Sequence, residues 1–157
     1  MHMFKLGYQG AGVMIYHVQD KDKVSVLLGK RVNNPDKGLW SIPGGGWEKF
    51  DVDKSGNPDL AETARREMRE ETGFYLPEHE KSFMVKLWDI DLIAFKFSVF
   101  VLRMKTKKFP YRHYEFSNMK WFDVNNIPAE CFCNKFVHSQ INQLKKFLFK
   151  KGYLSAV

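Results

Sequence analysis

The stretch DLAETARREMREETG, from Asp59 to Gly73, carries a start signal, an apolar stripe and a stop signal for one helix. Asp59 is a helix N-cap residue, and Glu62, three positions on, completes the pattern of a capping box. Leu60, Ala64 and Met68 recur at i, i+4 and i+8 and mark one buried stripe. Gly73 is placed to end the helix in a left-handed conformation. The spacing predicts a helix over Asp59–Thr72.

Elsewhere the apolar residues alternate. "AGVMIYHV" (Ala11–Val18) and "VSVLLGKR" (Val24–Arg31) flank the polar turn "QDKDK" and predict a β-hairpin. "LWSIPGGGW" (Leu39–Trp47) is a short extended stretch ending in three glycines, and "EKFDVDKSGNP" has turn composition throughout. Farther on, Phe95, Phe97, Val99 and Val101 alternate with Lys96, Ser98, Phe100 and Leu102 in a strand-forming region. "TKKFPYRHYEFSN" reads as a basic, aromatic loop, and "MKWFDV" as a short strand. A second helix is expected from about Asn134, with Val137, Ile141, Leu144 and Leu148 on one face. Lys145, Lys146, Lys150 and Lys151 crowd its end, where cations suit the helix dipole. Strands, helix, strands, helix imply an α/β class, a sandwich with a mixed sheet, and one domain over 1–157.

The formal charge of +7 favours anionic partners: phosphates, nucleotides, RNA or membrane lipid. It does not choose among them. Cys131 and Cys133 are too close for an ordinary stapling disulfide and fit no zinc spacing, so a reduced, cytoplasmic protein is expected. "MHMFKLGYQGAG" has no long apolar segment of the signal-peptide kind, and no stretch is apolar for long enough to span a bilayer.

On the predicted helix Glu67, Glu70 and Glu71 stand at i, i+3 and i+4 and project from one side. Like charges at these spacings cost about 0.2–0.5 kcal/mol per pair. A hard divalent ion such as Mg²⁺, which takes oxygen ligands, suits such a group. Arg65, Arg66 and Arg69 could equally neutralise the glutamates on a solvated face, so the helix alone leaves both readings open. The glycines of "PGGGWE" upstream shift the balance, because glycine lets the backbone approach a ligand closely. A glycine turn, a loop and a helix with three clustered glutamates suit a metal-bound polyphosphate.

With these residues in view, "GGGWE…RREMREETGF" resembles the signature of the Nudix hydrolases, in their MutT-type form. The signature is a Gly, five residues, Glu, seven residues, then Arg-Glu-apolar-x-Glu-Glu-x-Gly-apolar. Arg66 to Phe74 match its second half without exception, and "LLGKR…GLWSIPGGG" fits as the run-in. The first half departs from it. Pro58 stands where the family expects Glu, and Asp51, six residues after Gly45, is followed by a longer spacing than the family's. An insertion of seven residues within "FDVDKSGNP" accounts for this, and the family's first Glu is either lost or replaced by Asp51.

The resemblance implies a Nudix-type α/β/α sandwich with a loop-helix-loop signature. It implies hydrolysis of a nucleoside diphosphate derivative by water attack at phosphorus, with Mg²⁺ or Mn²⁺. Glu67, Glu70, Glu71 and the Gly45 carbonyl would be metal ligands, and Arg66 would orient the glutamates. Glu67 is one candidate to activate water. Glu115, six residues before Trp121, is another, at the spacing of a further acid in MutT-type members; it also reads as an ordinary loop acid. Arg31 and Asn134 fall where members contact the nucleotide, although Asn134 suits a helix N-cap equally well. Trp40 and Trp47 read as packing residues. A free (deoxy)nucleoside triphosphate is the favoured substrate, ahead of nucleotide sugars, ADP-ribose, dinucleoside polyphosphates and capped RNA. A non-catalytic nucleotide-binding domain is disfavoured by the intact glutamates. An RNA-binding role for the C-terminal lysines is disfavoured because they sit opposite an apolar stripe. Family members are often homodimers, but no interface can be read from the residues.

Overall fold

The computed structural model describes residues 7–34, 36–111, 115–127 and 135–157. Cys131, Cys133 and Asn134, together with the side chain of Val137, lie outside the described residues.

Period-two alternation in the strands produces a sheet with two apolar faces. In β1 (Tyr8–Asp20), Ala11, Val13 and Ile15 are buried on one face, while Met14 and Tyr16 are buried on the other. β2 (Lys23–Arg31) sends Leu27 to the first face and Val24, Val26 and Leu28 to the second. β6 (Phe95–Arg103) divides in the same way, with Phe100 and Leu102 against Val99 and Val101. Helix α1 (Leu60–Thr72) lays Ala64 and Met68 on the first face. Helix α2 (Lys135–Lys150) lays Ile141, Leu144 and Leu148 on the second. The result is the expected α/β/α sandwich. Among the described residues no helix is long and apolar enough to cross a membrane.

The sheet runs β3 (Trp40–Ser41), β2, β1, β6, β5 (Val85–Leu92), with β4 (Gly44–Gly46) pairing β1 and β7 (Phe116–Asp123) pairing β2. β1 is antiparallel to β2 and β4 but parallel to β6, which makes the sheet mixed. β7 begins three residues earlier than the alternation of "MKWFDV" indicated. Phe116 joins it because its ring fills the space over Gly29 on β2, where a Cβ would lie 2.5 Å from the ring. A 3-10 helix at Glu78–Phe83, which carries no periodic signal, follows α1.

The ends of α1 bear out both caps and correct the Glu62 half of the capping box. The Asp59 side chain accepts from the Ala61 N–H at 2.9 Å. Gly73 adopts φ 75° and donates its N–H to Arg69 O. The reciprocal half of the capping box is not formed. The Asp59 N–H is taken by Asp51 O at 2.9 Å, and Glu62 pairs with Arg65 and Lys81 instead. Gly73 has a second role. The Tyr111 ring lies where a Cβ would stand, and its hydroxyl donates to Gly73 O at 2.9 Å.

The residues inserted before α1 close on themselves. Val52 bridges Pro58, the Asp53 N–H donates to Asn57 O, and Asp53 Oδ1 accepts from the N–H groups of Ser55 and Asn57. Asp51 and Asp59 are therefore neighbours across the base of a small hairpin.

Candidate active site

The arrangement begins with Asp51, which is 2% exposed. One of its oxygens accepts from Arg66 Nε at 3.0 Å, and the other from Arg66 Nη2 at 3.0 Å, Thr63 Oγ1 at 3.0 Å and the Glu48 N–H at 3.0 Å. Burial pushes the Asp51 carboxyl up, but the hydrogen bonds from Arg66, Glu48 and Thr63 outweigh it and hold it below the usual range. Asp51 thus makes the paired, planar contact that a guanidinium favours. Trp47 holds this loop by donating its indole N–H to Asp51 O at 2.8 Å, and Trp40 packs edge-on against Phe122.

Arg66 uses its remaining donors on the site. Nη2 donates to Gly46 O at 2.8 Å, and Nη1 donates to Glu67 Oε1 at 2.9 Å and Glu70 Oε2 at 3.1 Å. Burial lowers its basicity, while the bonds and charges of Asp51 and Glu67 raise it further, so it stays charged.

Glu71 sits deepest, at 2% exposed. Its Oε2 accepts from the Gly44 N–H at 2.8 Å, and its Oε1 is buried without a hydrogen-bond partner. Burial pushes the carboxyl up to about 9; the Gly44 bond opposes this, and the charges of Glu67 and Glu115, together with the close side-chain approach of the Glu115 carboxyl, add to it. Burial also raises Glu67, Arg66 opposes it, and Glu70 and Glu115 reinforce it. Glu115 therefore stands with the helix glutamates, at the start of β7, where its carbonyl accepts from the Val32 N–H. The Glu67 carboxylate lies against Gly45, 2.5 Å from where a Cβ would be, so only glycine lets the strand come this close.

Among the described residues, no group of three or more carboxylate, imidazole or thiol side chains is drawn together as a metal-holding set. Arg66 Nη1 instead holds both Glu67 and the half-exposed Glu70 in ion pairs. The donor set nevertheless fits a divalent cation. It offers an orphaned buried carboxylate oxygen, and acids whose mutual repulsion a cation would relieve.

Arg31 ends β2 with its Nε buried and unpartnered among the described residues. Its charge acts on the hydroxyl of Tyr8, a residue that no sequence motif marks. Burial raises the Tyr8 hydroxyl first. Glu67 raises it next, Arg31 opposes, and Glu115 and Glu71 contribute, so the phenol shares its surroundings with four candidate site residues. Tyr8 stacks on Phe95 at 5.5 Å. Its sequence signal was faint, a single tyrosine ahead of a strand.

A family model described as the NUDIX domain matches residues 9–142. Among solved structures, the chain resembles the NUDIX domain of Shewanella oneidensis NrtR complexed with ADP ribose. The TM-score is 0.69 at 20% identity, covering 92% of this chain and 90% of that one. It also resembles a NUDIX hydrolase from Nitrosomonas europaea (TM-score 0.67, 19% identity, 99% and 81% covered). A third is a C. elegans Ap4A hydrolase (TM-score 0.64, 17% identity, 91% and 98% covered). At these identities the likeness speaks for the fold. No curated protein matches the chain.

Proposed function

The chain belongs to the NUDIX domain family and is a pyrophosphohydrolase of nucleotide-derived substrates, and from that premise we propose Mg²⁺-dependent cleavage of a nucleoside diphosphate derivative, with a (deoxy)nucleoside triphosphate as first candidate. The observation that carries this reading is Glu71, a buried carboxyl with one oxygen fixed by Gly44 and the other left without a donor.

Glu67, Glu70, Glu71 and the Gly45 carbonyl would hold Mg²⁺, or Mn²⁺ in its place. The ion supplies neutralisation of phosphate charge and a lowered pKa for bound water. The rest falls to the chain. Asp51 fixes the plane of Arg66, and Arg66 fixes Glu67. Glu67 and Glu115 are the two candidates to accept a proton from water. The water oxygen bonds to phosphorus, the bridging P–O bond breaks, and the departing phosphate oxygen keeps the electron pair. Arg31 would meet the nucleotide, and Asn134 would make a second contact with it. The +7 charge draws in a polyanion.

A panel of nucleotides with MgCl₂, followed by release of phosphate or pyrophosphate, tests this. Glu70→Gln and Glu71→Gln should nearly abolish release. Glu115→Gln should slow turnover by orders of magnitude if Glu115 is the base. Full activity in both helix variants would remove the metal-site assignment. A second reading, with ADP-ribose or a dinucleoside polyphosphate as substrate, draws support from the ligand of the NrtR domain and the activity of the nematode enzyme. The same panel separates it from the first.

A further inference from the structure

Tyr8 opens β1, and its surroundings hold it firmly. Its N–H donates to Ala94 O at 3.0 Å, and the residues after it pair with β4 on one side and β6 on the other. Its ring stacks on Phe95, 5.5 Å away with the planes 18° apart, and Phe95 stacks in turn on Phe97 at 6.4 Å. Two glycines, Gly10 and its partner Gly46, make the rest of the seat. A Cβ on Gly10 would stand 2.8 Å from one edge of the Tyr8 ring and 2.6 Å from the hydroxyl oxygen. A Cβ on Gly46 would touch the other edge at 3.6 Å. A methyl group at Gly10 would push the phenol out, so the bare strand fixes where the hydroxyl stands.

That place is beside the Gly45 carbonyl. The Gly45 oxygen lies 2.6 Å from the same point over Gly10, and the Cα of Gly45 meets the Glu67 carboxylate. The charges of Glu67, Arg31, Glu115 and Glu71 all act on the Tyr8 hydroxyl. Among the described residues it nevertheless makes no hydrogen bond, and the side chain is 46% exposed. A phenol carries its proton near neutral pH and can donate it to a hydrogen bond. The site thus holds a neutral donor that is fixed by its ring and not yet used. A lysine or arginine here would pair with the glutamates, as Arg66 does, whereas a phenol leaves them to a cation. The acceptor that the proposed reaction brings to this place is a phosphate oxygen, and a donor already in position binds it with little loss of freedom.

We propose that Tyr8 is a substrate-binding residue, its hydroxyl donating a hydrogen bond to a phosphate oxygen of the nucleotide beside the Gly45 carbonyl. The inference rests on the hydrolase reading above and deepens it by adding a neutral contact to the charged one at Arg31.

Tyr8→Phe removes the hydroxyl and keeps the ring, its stack on Phe95 and its seat over the glycines, so Tm should not move. Steady-state kinetics are run on a nucleotide that the wild type cleaves. KM should rise by about ten- to a hundredfold, the range for a hydrogen bond to a charged group, with kcat little changed. An unchanged KM, a loss confined to kcat, or a Tm that falls together with the rise in KM overturns the proposal. Calorimetric titration with a methylene-bridged triphosphate analogue in MgCl₂ separates this contact from the hydrolase reading. If the wild type binds the analogue but cleaves no nucleotide, the hydrolase reading fails, and binding weakened by the same factor in Tyr8→Phe upholds the contact. Equal binding by the two proteins overturns the contact whatever the activity. A wild type that neither binds nor cleaves overturns both.

Discussion

Glu71→Gln should stabilise the protein in the absence of metal and at the same time remove its response to metal. The Gln amide oxygen can still accept from the Gly44 N–H, so the change isolates the charge. Burial pushes the folded carboxyl up from the ordinary 4.5 to about 9. The native state therefore retains a proton that the unfolded chain releases, and stability falls as pH rises from about 4.5 to about 9. At pH 7.5 that span is three units, which sets a ceiling of about 4 kcal/mol on the cost. Relaxation around the site lowers it, and a gain of about 1–3 kcal/mol is expected for Gln, or several degrees in Tm for a chain of this size. Thermal unfolding in EDTA at pH 6, 7 and 8 should show the variant's advantage widening with pH. Adding MgCl₂ should raise the wild-type Tm and leave the variant's unchanged. A variant less stable than wild type across this range in EDTA would mean that the buried carboxyl costs the fold nothing.

Asp51→Ala strips Arg66 of its paired partner in a largely buried setting; unfolding should be easier by about 3–5 kcal/mol, and kcat should fall with it. Deleting residues 52–58 joins Asp51 to Asp59 across the closed base of the hairpin, so Tm and turnover should both stay near wild type. Gly45→Ala drives a methyl group into the Glu67 carboxylate, and turnover should drop at least a hundredfold while circular dichroism stays native. Gly73→Ala forces a left-handed backbone and meets the Tyr111 ring, so denaturant melts should show a loss of at least about 1–2 kcal/mol.

Local periodicity made the helices and most strands legible. Ala64 and Met68, and Ile141, Leu144 and Leu148, occupy the faces their spacing indicated, because packing follows the 3.6-residue turn. The alternation in β1 and β6 gave two apolar faces, but their parallel pairing depends on a crossover that no short window contains. The failure of the capping box has the same origin. Asp59 had the right neighbours in sequence, and Asp51 had already taken its N–H from across the hairpin. The glutamates were visible from spacing. Their asymmetry was not: Glu71 is buried against the Gly44 N–H, whereas Glu70 is half exposed and pairs with Arg66. Tyr8 and Tyr111 stayed hidden for want of any periodic or motif signal, and each acts through contacts with residues distant in the chain.

The most direct test of the account is ³¹P NMR of a nucleoside triphosphate incubated with the protein and MgCl₂ in ¹⁸O-labelled water. Cleavage within the polyphosphate is predicted, with one ¹⁸O placed on a single phosphorus of the products, and with no reaction in EDTA or in Glu71→Gln. Cleavage that proceeds undiminished in EDTA and in Glu71→Gln would contradict it.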